Sequence, residues 1–73
     1  MSRARTLVHD SLDNPALLDR IKDDDDLVRC GVNSGELIRL ALHCEGDLGR
    51  PLTDEELTAL TSVRAVADLL GGR

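Results

Sequence analysis

Apolar residues recur along this chain at the three- and four-residue spacing of amphipathic helices, and no segment alternates as a strand does. The clearest helix is predicted over residues 34–48, where one face is apolar. That face contains Leu37, Leu40, Ala41, Cys44 and Leu48. Gly49 and Pro51 predict the end of the helix, because glycine suits a C-terminal cap and proline cannot continue the helix.

Weaker patterns predict three more helices and a connecting turn. The predicted helices run over 2–12, from Thr53 to about Leu60, and from Thr61 or Ser62 to Gly71-Gly72. Asn14-Pro15 begins a short turn after the first helix, since asparagine caps well and proline suits a first helical position. We therefore predict an all-α fold, a small four-helix bundle forming a single domain over residues 1–73, with a long loop between its first two helices.

The long loop carries a run of four aspartates, Asp23 to Asp26. Like charges repel, so we expect this run to lie in solvent. It lacks the spacing, the central glycine and the terminal glutamate of a calcium-binding EF-hand loop. The apolar residues of the loop are expected to cover the core, namely Leu17, Leu18, Leu27 and Val28.

Size and composition exclude several classes of function. A chain of 73 residues without aromatic residues has a thin core, burying about 60–65% of its unfolded surface, and is a poor candidate for an enzyme. We therefore predict no catalytic residue. The net charge of −5 argues against nucleic acid as a partner and favours partners with basic surfaces.

Other patterns bear on location and metals. The sequence has neither a membrane-spanning apolar run nor a signal peptide, so we expect a cytoplasmic protein with no membrane partner. Two cysteines and two histidines match no zinc spacing, and no metal site is predicted. Cys44 is expected to be a reduced thiol in the core.

Ser34 is the candidate for chemistry. Asn33 is a good N-cap residue, and Glu36 follows at the spacing of a capping box. Ser34 would then be the first helical residue, with its hydroxyl pointing outward at the positive end of the helix, where a phosphodiester is tolerated. The alternative is that Ser34 is itself the cap.

The segment Gly31-Val32-Asn33-Ser34 resembles the start of helix II in acyl and peptidyl carrier proteins. The likeness continues through Leu37-Ile38-Arg39-Leu40, Glu45, Leu48-Gly49, Asp54-Glu55-Glu56 and Thr61-Ser62-Val63. The resemblance implies that a phosphopantetheinyl transferase attaches 4′-phosphopantetheine to Ser34, and that acyl or aminoacyl groups are carried on its thiol as thioesters. A Ser-His-Asp hydrolase is less well supported, because no oxyanion hole or pocket is evident.

Two departures from the family pattern flank the serine. Asn33 replaces the usual aspartate, which removes a negative charge where the transferase and its metal ion dock, and Gly35 replaces the usual leucine. Together they suggest an atypical carrier with a narrower set of partners.

Helix II is also the predicted surface for partner enzymes. The polar residues Glu36, Arg39, His43 and Asp47 are expected to point outward, either as specificity residues or as spacing pairs, Glu36 with Arg39 and His43 with Asp47. Ile38 and Leu42 lie beside the apolar stripe as a docking patch or as core overflow. The full predicted surface is Asn33, Gly35, Glu36, Ile38, Arg39, Leu42 and His43.

The resemblance also suggests a biological context. We expect a free-standing, monomeric carrier in polyketide or nonribosomal peptide biosynthesis, including macrolactam pathways that start from an amino acid. Its partners would be acyltransferases, adenylating enzymes or ketosynthase-type enzymes. The alternatives are a fatty-acid or D-alanine carrier, and a carrier-like protein-binding module in which Ser34 is unmodified.

Overall fold

The computed structural model describes residues 2–71, and within them all regular structure is helical. Four α-helices occur: α1 (Arg3–Ser11), α2 (Ser34–Leu48), α3 (Asp54–Ala59) and α4 (Val63–Leu69). A 3₁₀ helix, Pro15–Arg20, lies in the long connection between α1 and α2. The predicted all-α bundle and its long loop are confirmed.

Each helix begins at a side chain that accepts a hydrogen bond from the first turn. The caps are Ser2 for α1, Asn14 for the 3₁₀ helix, Asn33 for α2, Thr53 for α3 and Ser62 for α4. Of the two candidates for the last cap, Ser62 is therefore the one used. Gly49 ends α2 in the left-handed conformation, with φ of 73°, which glycine adopts without a steric penalty.

The core lies where α1 packs on α2 and α4. Its buried members include Leu7, Val8, Leu27, Leu40, Cys44, Val63 and Val66. The prediction of Cys44 as a core thiol is confirmed: it is a free cysteine, and burial raises its pKa to about 11. The small core is formed without any aromatic side chain.

The aspartate run is exposed in part but is also tied to two helices. Asp23 pairs with Arg5 of α1 at 2.7 Å, and Asp24 pairs with Arg64 of α4. The backbone adds a bond from the Arg64 amide to the Asp23 carbonyl at 2.9 Å. Two of the four carboxylates therefore hold the loop to the bundle. The expectation that the run lies in solvent did not include these ion pairs.

One loop residue differs from its prediction. Leu27 is fully buried, but Val28 is exposed and does not cover the core. Both lie in a tight turn closed by the Cys30 amide on the Leu27 carbonyl, so consecutive side chains point in different directions.

None of the helices within residues 2–71 is both long and apolar enough to cross a bilayer.

Candidate functional site

The first turn of α2 is built by Asn33 and Glu36. The Glu36 amide donates to Asn33 Oδ1 at 2.8 Å, and the Asn33 amide donates to Glu36 Oε1 at 3.0 Å. This is a complete capping box, in which two backbone N–H groups are satisfied reciprocally. Asn33 is therefore the cap and Ser34 is the first helical residue, which is the first of the two alternatives that the sequence left open.

Ser34 differs from the other three serines of the chain in what its hydroxyl does. Ser34 is exposed, and within residues 2–71 its Oγ makes no hydrogen bond to protein. Ser2 and Ser62 accept bonds from helix amides, at 3.2 Å and 3.0 Å. Ser11 is 1% exposed and donates to the Leu7 carbonyl at 2.7 Å. Of the four hydroxyls, only that of Ser34 is both exposed and not engaged by the fold.

The electrostatics at Ser34 suit an anionic group. Ser34 begins a helix of 15 residues, whose N-terminus carries partial positive charge. The one acidic residue of the first turn, Glu36, turns its carboxylate inward toward backbone amides. A phosphodiester on Ser34 Oγ would therefore meet helix N–H groups without an exposed carboxylate beside it in this turn.

The prediction that Glu36 points outward from α2 is wrong. Glu36 is only 6% exposed, and its Oε2 accepts a hydrogen bond from the Asp13 amide at 2.9 Å. Arg39, on the same face, donates to the Ser11 carbonyl at 3.0 Å and to Asp13 Oδ1 at 2.9 Å. This polar face packs against the end of α1 because carboxylate and guanidinium find backbone partners there, so Glu36 cannot reach a docking enzyme.

His43 also faces α1. Its Nδ1 lies 2.9 Å from Ser11 Oγ, and it is half-buried. Ser11 and His43 do not form a catalytic pair, since the serine is buried and its proton is donated to Leu7. Asp47 bonds Arg3 of α1 at 2.8 Å. The predicted spacing pairs within α2 do not form among the described residues.

Ile38 and Leu42 lie on the solvent side of α2. They are 64% and 60% exposed, so they are not core overflow. Leu57 of α3 is the third exposed leucine or isoleucine of this region. The three residues line a groove of about 410 Å³ between α2 and α3, together with Leu37, Ala41, Glu45 and Leu60.

Leu57 was not among the predicted partner residues. Leu52 and Leu57 stand immediately before the cap of α3 and at its fourth residue, the spacing of a hydrophobic staple. In the structure Leu52 is buried while Leu57 remains partly exposed at the groove. No sequence signal separated this role from that of a staple residue; in the structure α3 buries none of its six residues.

The two departures beside the serine are structurally linked. A Cβ atom at Gly35 would lie 3.3 Å from Asn33 Oδ1, the oxygen that caps the helix. That distance is tight, so a larger residue at Gly35 would require the cap to shift by a few tenths of an ångström. Glycine leaves Ser34 without a bulky neighbour on this side.

Comparison with known proteins adds one positive result. The family model described as "Phosphopantetheine attachment site" matches residues 5–70. Comparison with curated proteins and with solved structures found no significant match. The matched span includes α2, α3, α4 and Ser34, and all of α1 except its first two residues.

Proposed function

The chain belongs to the family that carries 4′-phosphopantetheine covalently on a serine and that acts as a non-catalytic carrier; on that premise, we propose that Ser34 is the serine modified here. The observation that carries the proposal is the capping box of Asn33 and Glu36, which leaves the Ser34 hydroxyl free. The other three serines support it, because their hydroxyls are used by the fold.

The residues around Ser34 can accommodate a phosphopantetheine group, but they do not activate the Ser34 hydroxyl for its attachment. No histidine or free carboxylate within the described residues bonds Ser34 Oγ, so the transferase must supply the base. The helix N-terminus stabilises the phosphodiester once it is formed. The bound group supplies a terminal thiol, on which acyl or aminoacyl cargo is held as a thioester.

We place the docking surface on the outward side of α2. Ser34 and its neighbours Asn33 and Gly35 form one end, and Ile38 and Leu42 continue it as an uncharged, apolar strip. Arg39 and His43 remain at its edge, since each is turned toward α1 but not fully buried. Glu36 is withdrawn from this surface by its burial.

The character of this strip supports a specialised carrier. Partners that recognise it would rely on apolar contact rather than on a row of carboxylates, in contrast to the acidic helix II of fatty-acid carriers. We therefore propose a role in polyketide or nonribosomal peptide biosynthesis, served by a phosphopantetheinyl transferase and by acyltransferases, adenylating enzymes or ketosynthase-type enzymes. A fatty-acid or D-alanine carrier is the alternative. A free-standing chain, a monomeric state and a cytoplasmic location stay predictions from the sequence.

Intact-mass measurement tests the attachment residue. Coexpression with a broad-specificity transferase should add one phosphopantetheine group to the wild-type chain and none to Ser34→Ala. Ser2→Ala is the matched control, because it removes another exposed serine and should still be modified. An unmodified wild type would favour a carrier-like binding module. A loading assay with adenylating and acyl-transfer enzymes then tests the pathway.

A further inference from the structure

The carboxylate of Glu36 holds the start of α2 to the segment that follows α1. Glu36 Oε1 accepts from the Asn33 amide at 3.0 Å, and Glu36 Oε2 accepts from the Asp13 amide at 2.9 Å. Both oxygens of this buried group are thus bonded to backbone N–H groups of two different segments. Such bonds to a charged acceptor are stronger than neutral ones.

A second side chain of α2 reinforces the contact one turn later. Arg39 Nη1 donates to the Ser11 carbonyl and to Asp13 Oδ1. Because residues three apart lie on one face of a helix, Glu36 and Arg39 reach the same segment, 11–13. The segment that follows α1 is therefore bonded to α2 at two successive levels.

This contact forms in only one orientation of the first turn of α2 about the helix axis. At about 100° per residue, Ser34 and Ile38 each lie about 160° around the helix from Glu36. If Glu36 points toward α1, both of those residues must point toward solvent, as they do. Without the contact, the first turn could fray or rotate, since the ends of helices are their least stable part.

We propose that Glu36 is a positioning residue for the modification of Ser34. Its carboxylate fixes the first turn of α2 against Asp13 and so directs the Ser34 hydroxyl outward. This role rests on the proposed function, because it matters for modification only if Ser34 is the residue modified. It differs from docking: a carboxylate whose two oxygens are occupied and buried does not meet the transferase.

The direct test compares Glu36→Gln with Glu55→Gln in steady-state modification by a broad-specificity transferase with coenzyme A. Glutamine has one acceptor oxygen and an NH₂ donor, so it cannot accept from both the Asn33 and Asp13 amides. Glu55 is exposed on α3 and controls for the lost charge. We expect kcat for Glu36→Gln to fall about tenfold or more, as for a misplaced reacting group. KM should change less than about twofold, because Ile38 and Leu42 are untouched.

A second variant, Asp13→Pro, removes the same bond from the other side, in case Glu36→Gln fails to fold, and Asp13→Asn is its control. Asp13→Pro deletes the amide that donates to Glu36 while leaving Glu36 in place. Leu12 has φ of −88° and ψ of 138°, the extended conformation that a following proline requires. Asp13→Asn keeps the amide and removes only the charge that meets Arg39. Asp13→Pro should lower kcat as Glu36→Gln does, and Asp13→Asn should lower it less.

Circular dichroism must first show that each variant is folded at the assay temperature. Amide exchange at Asp13 should accelerate in Glu36→Gln, which reports the lost bond independently of the transferase. Unchanged kcat in folded Glu36→Gln or Asp13→Pro would overturn the positioning role, and so would a rise in KM with kcat unchanged, which identifies a docking residue. If the wild type itself gains no phosphopantetheine group, the proposed function fails and this role fails with it. If the wild type is modified and a folded variant keeps the wild-type kcat, only the positioning role is overturned.

Discussion

The imidazole of His43 donates its Nδ1 proton to Ser11 Oγ across 2.9 Å and thereby joins α2 to α1. The direction of this bond follows from Ser11, whose single hydroxyl proton is given to the Leu7 carbonyl at 2.7 Å. The neutral ring must therefore carry its proton on Nδ1. The cationic ring carries a proton there as well, so the bond is kept in both charge states.

Ser11→Ala tests that bond. The change leaves the half-buried His43 Nδ1 without its acceptor in α1, which should lower the free energy of unfolding by about 1–2 kcal/mol. Urea denaturation measures the loss, and nitrogen chemical shifts of the wild-type ring should identify the Nδ1–H tautomer. A neutral Nε2–H tautomer, or an unchanged urea midpoint, would contradict the assigned geometry.

The pair Arg50 and Glu56 predicts a pH dependence at the start of α3. The guanidinium bonds both carboxylate oxygens at 2.8 Å, and the Thr53 amide adds another bond at 2.9 Å. These contacts, the Arg50 bond foremost, lower the pKa of Glu56 from 4.5 to about 2. The folded state favours the ionised form, so the stabilisation is present above about pH 4.5 and is lost as the pH falls toward 2.

Glu56→Gln should accordingly flatten the fall in thermal midpoint between pH 4.5 and about 2. Glu55→Gln is the control, because the Glu55 carboxylate makes no ion pair among residues 2–71. Thermal unfolding followed by circular dichroism across this range makes the comparison. Parallel pH profiles for the wild type and Glu56→Gln would mean that the pair is not formed in solution.

The two cysteines should differ in reactivity. Cys44 is fully buried and its pKa is raised to about 11, so little thiolate exists at neutral pH and reagents cannot reach it. Cys30 is only half-buried. Iodoacetamide should therefore alkylate Cys30 first in the native protein, and both cysteines in denaturant. Equal native rates would place Cys44 outside the core.

Ile38→Ala and Leu40→Ala form a matched pair on α2. Ile38 is largely exposed, so its truncation should change stability by less than about 0.5 kcal/mol while weakening transfer by partner enzymes. Leu40 is buried, and its truncation should cost about 2–5 kcal/mol. Urea denaturation and a transfer assay separate the two effects. A strongly destabilised Ile38→Ala would assign Ile38 to the core.

Local sequence signals predicted the helices well. Caps and apolar spacing act within a few residues, so Gly49 could be assigned as the end of α2 before any packing was known. At the start of α2 the same signals left two candidates for the cap, Asn33 and Ser34, and the structure has Asn33. The orientation of α2 was predicted less well. Glu36 and His43 are polar, and polarity suggested solvent, but both meet partners near the end of α1.

Those partners are far away in sequence. The Asp13 amide and the Ser11 hydroxyl form hydrogen bonds with Glu36 and His43 on the polar face of α2. No pattern within a few residues of α2 predicts these contacts. Val28 illustrates a different limit, because the direction of a side chain in a turn depends on how the turn is closed, and hydrophobic spacing does not specify that closure. Long-range hydrogen bonds therefore determine which way the polar side chains of α2 point, and hydrophobic spacing alone did not predict that direction.

Site mapping of the modified protein determines whether Ser34 is the serine that carries the group. The wild-type chain, coexpressed with a phosphopantetheinyl transferase, would be digested, and fragment-ion mass spectrometry would locate the added group. We expect one phosphopantetheine on Ser34 and none on Ser2, Ser11 or Ser62. A group on any of those three serines, or no group on a folded chain that meets an active transferase, would contradict this expectation.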